Sequence, residues 1–67
     1  MESVYKIVEI IGTSDKSWEE AAKVAVNTAS KSLRDLRVAE VKEMDMKIEE
    51  GSLIFRVKMN LSFKYQD

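Results

Sequence analysis

Two acidic residues, Glu43 and Asp45, stand on either side of Met44 in a segment with strand character. Because successive strand side chains point to opposite faces, both carboxylates should project from the same face of a sheet. Carboxylate oxygens are ligands that suit calcium and magnesium. A pair of carboxylates is too few for calcium without a second subunit, backbone carbonyls or water. The same pattern is also typical of a solvated strand face, so both interpretations stay open.

Arg56 and Trp18 are two further side chains suited to ligand contact. Arg56 can hold a carboxylate or a phosphate of a ligand. It can equally pair with an acid on the preceding strand, where the candidates are Glu40, Glu43 and Asp45. Trp18 can stack on a ligand, but its place on the apolar side of a helix start favours packing on the sheet or on a neighbouring subunit. We therefore expect a structural role for both residues.

The sequence lacks the residue types and motifs on which many catalytic mechanisms depend. The 67 residues include no cysteine and no histidine, which excludes thiol catalysis, disulfides and the usual zinc ligands. No phosphate-binding loop, dinucleotide fingerprint or nucleophile motif is present. Met44, Met46 and Met59 recur at strand period, which favours core packing over a soft metal site. The sequence therefore favours a protein that is not an enzyme.

Charge and composition exclude further classes of function. Eleven basic and twelve acidic residues are mixed along the chain and give a formal charge of -1. A dedicated binder of nucleic acid or of an anionic membrane would show a basic cluster. No apolar run reaches the roughly 20 residues that span a membrane, and the first residues do not resemble a signal peptide. With no cysteine, these features predict one cytoplasmic domain over residues 1–67.

Three strands are predicted around one helix. The most regular pattern alternates apolar with mostly polar residues, its apolar members being Leu53, Phe55, Val57, Met59, Leu61, Phe63 and Tyr65. Strand one is predicted over residues 4–11, with a turn at 12–14. Strand two begins near Val38, and a change in its apolar parity predicts a β-bulge at 42–43. Residues 49–52 then form a hairpin turn.

A helix is predicted over residues 17–36. Ser17 and Glu20 match a capping box, in which each side chain satisfies a free backbone N–H group of the other residue. From Trp18 to Leu36, apolar residues recur at steps of three and four, and several of them are alanines. A stripe of small side chains lets a helix approach a sheet closely. The helix should therefore cover one face of the sheet.

The element order indicates an α+β subunit with a β-α-β-β order, in which a three-stranded antiparallel-type sheet packs on one amphipathic helix. Strands one and two would run parallel if they were adjacent. The last strand spans about 43 Å and the helix about 30 Å, so the hairpin should extend past the helix. An exposed, alternating apolar strand is an aggregation hazard unless it pairs. Self-association is therefore predicted, and it would also stabilise so small a core.

Several short segments resemble the dodecin family: residues 4–6 (VYK), 11–14 (IGTS), 39–41 (AEV) and 62–63 (SF), together with the helix between them. The resemblance covers residues 3 to 65. It implies a hollow homododecamer that binds flavin in pairs at two-fold axes and stores or protects it. Some members of the family also bind coenzyme A.

Two positions depart from the family pattern. By the resemblance, Val38 stands where flavin-binding dodecins carry a ring-stacking tryptophan, and Arg56 where a glutamine contacts the polar edge of the flavin. Valine cannot stack, and arginine donates hydrogen bonds but cannot accept them. Weak or absent flavin binding is therefore expected, as in a branch of the family that has been associated with calcium. The predicted function is small-molecule binding and storage; the alternative is a calcium-binding or purely structural oligomer.

Overall fold

Three strands and one helix form the subunit. The computed structural model describes residues 3–65, with β1 at Tyr5–Ser14, α1 at Trp18–Ala29, β2 at Leu36–Glu49 and β3 at Ser52–Lys64. The strand order is β1-β3-β2, and both neighbouring pairs are antiparallel. The predicted β-α-β-β order and antiparallel sheet are thereby confirmed, and β3 separates β1 from β2.

Two further predictions concern residues at the ends of the chain and the possibility of a membrane-spanning segment. Positions 1, 2, 66 and 67 of the predicted domain lie outside the described residues, as does most of the segment that was tested for a signal peptide. Within residues 3–65, α1 is too short and too polar to cross a membrane.

The helix begins where predicted but ends earlier. Ser17 is the N-cap, and its hydroxyl accepts a hydrogen bond of 3.0 Å from the backbone N–H of Glu20. The prediction of a helix to residue 36 is wrong, because α1 ends at Ala29 and the N–H groups of Lys31 and Ser32 then make tighter hydrogen bonds, each to a carbonyl three residues back. Asp35 then adopts a positive φ of 58°, which a continuous right-handed helix does not allow. Leu36 consequently belongs to β2.

Gly12 sets the distance between the helix and the sheet. A turn was predicted at residues 12–14, but β1 continues through this segment to Ser14. A Cβ at Gly12 would collide with the carbonyl oxygen of Ala21 and would lie 2.7 Å from the Cβ of Ala25. Gly12 is therefore required because α1 approaches β1 closely at this position. The predicted turn at residues 12–14 is wrong, because the glycine serves this helix contact within the strand.

The core lies between α1 and the middle of β3. Val57, Met59 and Leu61 are almost completely buried, and Ala21 and Ala25 face them from the helix. These three β3 residues belong to the predicted apolar face, so the predicted alternation of the last strand is confirmed. The small side chains of Ala21 and Ala25 leave room for the larger side chains of the strand. The helix can therefore pack closely on the sheet without leaving a cavity.

The β2–β3 hairpin forms as predicted. Its turn follows Glu49, and Gly51 adopts a positive φ of 72°, a conformation that glycine tolerates without strain. The register shifts between Val41 and Glu43, which confirms the predicted bulge at 42–43. A second shift, between Leu36 and Val38, was not predicted from the sequence.

The hairpin extends well past the helix. The subunit measures 51 × 20 × 14 Å, whereas a helix of 12 residues is about 18 Å long. Because α1 packs over β1 and β3, apolar side chains near the hairpin turn stay exposed, including Ile48 at 82%. Met44 and Met46 are also exposed, so the prediction that they are core residues is wrong for the single subunit; Met59 is buried as predicted.

Candidate ligand face of the sheet

The sheet surface that faces away from α1 is called the outer face here, and it carries the candidate ligand residues. Because Val57 and Met59 point toward the helix, Arg56 and Lys58 point to the outer face. The antiparallel register places Asp45 opposite Arg56. It places Glu43 opposite Lys58 in the same way. The β-bulge keeps both acids on this face after the change of parity in β2.

Asp45 and Arg56 form a bidentate ion pair. Nε of Arg56 donates to Oδ1 of Asp45 over 2.6 Å, and Nη2 donates to Oδ2 over 2.9 Å. The hydrogen bonds from Arg56 lower the pKa of the Asp45 carboxyl, and the same pairing raises the pKa of the Arg56 guanidinium. Arg56 therefore pairs with an acid of β2, the structural role that the sequence favoured.

Glu43 and Lys58 form a second ion pair beside the first. Nζ of Lys58 lies 3.3 Å from Oε1 of Glu43, and the side chain of Ile11 lies next to both pairs. The hollow between these residues has a volume of about 60 Å³, far below the few hundred Å³ that small-molecule sites occupy. One subunit thus presents an exposed cluster on its outer face in which each of the two acids is paired with a cation.

A complete metal site is not assembled by one subunit. Within residues 3–65 no three acidic side chains converge closely enough to hold an ion. Glu43 and Asp45 lie on one face, as the sequence indicated, but each already has a cationic partner. Calcium usually takes six to eight oxygen ligands, so these two carboxylates need further ligands from elsewhere. Their role as metal ligands stays a prediction.

Val38 lies far from Arg56 within the subunit. It is exposed at the start of β2, and its carbonyl oxygen accepts a hydrogen bond of 3.5 Å from the hydroxyl of Ser62. Ser62 and Arg56 are six residues apart on β3, which corresponds to about 20 Å. The two positions that the resemblance singled out are therefore not brought together by one chain.

Comparisons with known proteins agree with this architecture. The family described as Dodecin matches residues 4–66 of the sequence. The chain belongs to the dodecin family. A curated member, calcium dodecin from Mycobacterium tuberculosis, is 51% identical over 63 residues, which cover 92% of this chain and 89% of that one. A second, dodecin from Thermus thermophilus, is 38% identical over 68 residues and covers 100% of this chain and 99% of that one.

A solved structure of the family shares the fold. It is the crystal structure of the calcium-chelating immunodominant antigen calcium dodecin from Mycobacterium tuberculosis, described with a novel calcium-binding site. It superposes with a TM-score of 0.87 at 49% identity and covers 96% of this chain and 93% of that chain. The dodecin assignment and the β-α-β-β fold expected from the sequence are therefore confirmed.

In this member of the dodecin family, Trp18 is partly buried and packs on the sheet of its own subunit. Its ring meets Phe55 edge to face at 5.0 Å, and its Nε1–H donates to the backbone carbonyl of Asp45 over 3.1 Å. Packing on the sheet, the role favoured by the sequence, is confirmed. Trp18 also borders an apolar hollow of about 350 Å³ together with Val41 and Met44. Sequence reasoning missed this hollow because its walls come from three separate elements.

Proposed function

We propose that residues 1–67 form one dodecin-like domain that works as a homododecamer and binds and stores a small molecule in the cytoplasm without catalysing a reaction. The supporting observation is the apolar overhang of the β2–β3 hairpin. Ile48, Met44 and Met46 are largely exposed in one subunit, and further copies of the chain would remove them from water. Family membership supports a closed, symmetric assembly as the way to do so.

The ligand pocket is proposed to lie between subunits. Val38 and Arg56 are about 20 Å apart in one chain, so a small ligand can touch both positions only where two chains meet. Valine offers no ring for stacking, and both acceptor atoms of Asp45 already hold Arg56. These features support weak or absent flavin binding and a ligand of other chemistry.

Calcium binding is the second candidate function. The supporting observation is the 51% identity to calcium dodecin from Mycobacterium tuberculosis, together with two carboxylates on the outer face. Calcium at Glu43 and Asp45 would have to replace Lys58 and Arg56 as partners or recruit carboxylates of a second subunit. A third possibility, a purely structural oligomer, keeps both ion pairs intact and has no ligand.

Native mass spectrometry of the protein purified from its own cells separates these functions, because it reports subunit number and retained ligand together. A dodecamer carrying an organic mass supports storage. A dodecamer carrying calcium supports the second candidate, and a dodecamer with neither supports the structural role. A monomer would contradict all three. Cell fractionation tests the cytoplasmic location separately.

Thermal unfolding with and without calcium sharpens the second candidate. An ion that binds only the folded assembly, at a hundredfold excess over its dissociation constant, stabilises it by about 2.7 kcal/mol. If calcium occupies the outer face, millimolar calcium should raise the melting temperature, and Asp45→Asn should abolish the rise. Glu50→Gln, in the hairpin turn, is the matched control that also removes one carboxylate. An unchanged melting temperature in the parent protein would reject calcium binding.

A further inference from the structure

Trp18 lies on the face of the sheet that is turned toward α1, on the opposite side from the Asp45–Arg56 ion pair. Its ring meets that of Phe55, the chain neighbour of Arg56, with ring centres 5.0 Å apart. Its Nε1–H donates to the backbone carbonyl of Asp45 over 3.1 Å. The indole therefore bridges β2 and β3 at the position where Asp45 and Arg56 are register partners.

The bridge from Trp18 restrains a strand that has little other support. The sheet order is β1-β3-β2, so within residues 3–65 the strand β2 is an edge strand with β3 as its neighbour. α1 packs over β1 and β3, and Trp18 at its start reaches across to β2. An edge strand outside the cover of a helix opens locally at a low cost in free energy, because few buried contacts hold it. The hydrogen bond from Trp18 therefore limits the movement of the Asp45 backbone.

The Asp45–Arg56 pair is sensitive to such movement because it is bidentate. Nε and Nη2 of Arg56 donate to the two carboxylate oxygens over 2.6 Å and 2.9 Å. Two parallel hydrogen bonds require the guanidinium and the carboxylate to stay aligned, so a shift of the Asp45 backbone would break at least one of them. The neighbouring pair of Glu43 and Lys58 differs, because an ammonium is a point charge that tolerates changes in direction.

We propose that Trp18 is a positioning residue for Asp45: it clamps β2 to β3 from the helix side and keeps the carboxylate on Arg56. A cation that takes Asp45 by replacing Arg56 needs the ion pair to open first. Because apparent affinity falls with the population of the competent state, Trp18 lowers the affinity of the outer face for calcium. This consequence rests on the calcium candidate of the proposed function, whereas the clamp itself does not.

Hydrogen exchange at Nε of Arg56, followed by nuclear magnetic resonance in the calcium-free assembled protein, tests the clamp. Trp18→Phe keeps an aromatic ring and removes the N–H donor. It should speed the exchange about fivefold, the equivalent of one ordinary hydrogen bond, because the pair opens more often. Lys47→Gln is the matched control, since it breaks another exposed ion pair of β2, and it should leave the exchange unchanged. Equal exchange in Trp18→Phe and in the unaltered protein would overturn the proposal.

Fluorescence of the native indole gives a second measurement, which does not depend on the folding of Trp18→Phe. Trp18 is the single tryptophan of the chain, so the emission reports on this position alone. Arg56→Gln releases the Asp45 carboxylate on the outer face and should shift the emission, because the indole N–H loses its fixed acceptor. Lys47→Gln should again have no effect. An emission that is the same in Arg56→Gln and in the unaltered protein would show that the two faces are uncoupled, against the proposal.

Calcium titration of the unaltered protein and of Trp18→Phe tests the consequence for the outer face. The variant should reach half saturation at a calcium concentration about fivefold lower, in step with its faster exchange. An equal or higher concentration would overturn the proposal, because Trp18 would then not hold the ion pair closed against the cation. Calcium binding to neither protein would reject the calcium candidate, while the metal-free exchange at Arg56 would still decide whether Trp18 acts as a clamp.

Discussion

The two halves of β3 have the same residue pattern and different surroundings. In the half under α1, Val57, Met59 and Leu61 are 1%, 2% and 1% exposed. In the half next to the hairpin turn, Leu53 is 44% exposed, and its neighbour Ile48 on β2 is 82% exposed. The alternation in the sequence therefore identifies the side chains of the apolar face. The length of the helix determines which of these side chains are buried within the subunit.

This difference indicates where other copies of the chain should contact the subunit. Side chains already covered by α1 stabilise the subunit itself, whereas those of the overhang gain cover only on assembly. Substitutions in the two halves should consequently fail in different ways.

The largest effect is expected in the covered half. Leu61→Asp places a charge in the core, and a core of this size supplies only about 3–5 kcal/mol, so the subunit should not fold. Leu61→Ala should cost about 2–5 kcal/mol by removing buried surface and leaving a cavity. Circular dichroism and chemical denaturation measure both effects. A folded Leu61→Asp variant would contradict the placement of the core, and Leu61→Met is the control with nearly conserved volume.

The next effect is expected in the overhang. If the chain worked alone, Ile48→Asp would change little, because this side chain is 82% exposed in the subunit. The assembly account predicts instead that the variant loses the large oligomer, since a charge would be buried between subunits. Size-exclusion chromatography measures the loss, and Glu50→Ser at the turn is the control. An Ile48→Asp variant with unchanged size would place the subunit contacts elsewhere.

A smaller effect concerns flavin. The protein as it stands should quench riboflavin fluorescence weakly or not at all, because Val38 offers no ring and Arg56 is held by Asp45. Val38→Trp combined with Arg56→Gln should raise riboflavin affinity by more than the product of the two single changes, since both positions would contact one ligand. Tight, stoichiometric quenching by the unaltered protein would contradict the expectation.

The smallest effect is expected from the outer-face ion pair. Pairing lowers the pKa of Asp45, so the pair contributes its full stability above the ordinary carboxyl range and loses it as pH falls through the lowered pKa. Asp45→Asn should therefore be slightly less stable than the parent at pH 7, with the difference vanishing in strong acid. Because the pair is exposed, the difference should be small and should shrink in high salt. Melting curves recorded across pH measure the stability difference between the parent and Asp45→Asn. A difference that grows as the pH falls would contradict the prediction.

The sequence was informative where the cause of a feature is local. The parity change in β2 predicted the bulge at 42–43, and the Ser17 cap predicted the helix start. The helix end was missed because Leu33 and Leu36 continue the helical spacing, although Asp35 turns the chain between them. Gly12 was interpreted as a turn residue because the helix that approaches it is remote in the sequence.

The candidate sites also divide into features with a local cause, which were predicted, and features that depend on residues remote in the sequence, which were not. The pairing of Arg56 with an acid of β2 was predicted because the hairpin makes the two strands neighbours. The apolar hollow beside Trp18 was not predictable, since Trp18, Val41 and Val57 lie on three separate elements and meet only through the fold.

Light scattering coupled to size-exclusion chromatography, at micromolar concentration of the unaltered protein, tests most directly whether the overhang of the hairpin is covered by other copies. The account predicts a single closed species of about twelve subunits, each of 7.7 kDa, with a mass that does not change on dilution. A stable, folded monomer at these concentrations would contradict it, because the apolar side chains near the hairpin turn would then remain in water.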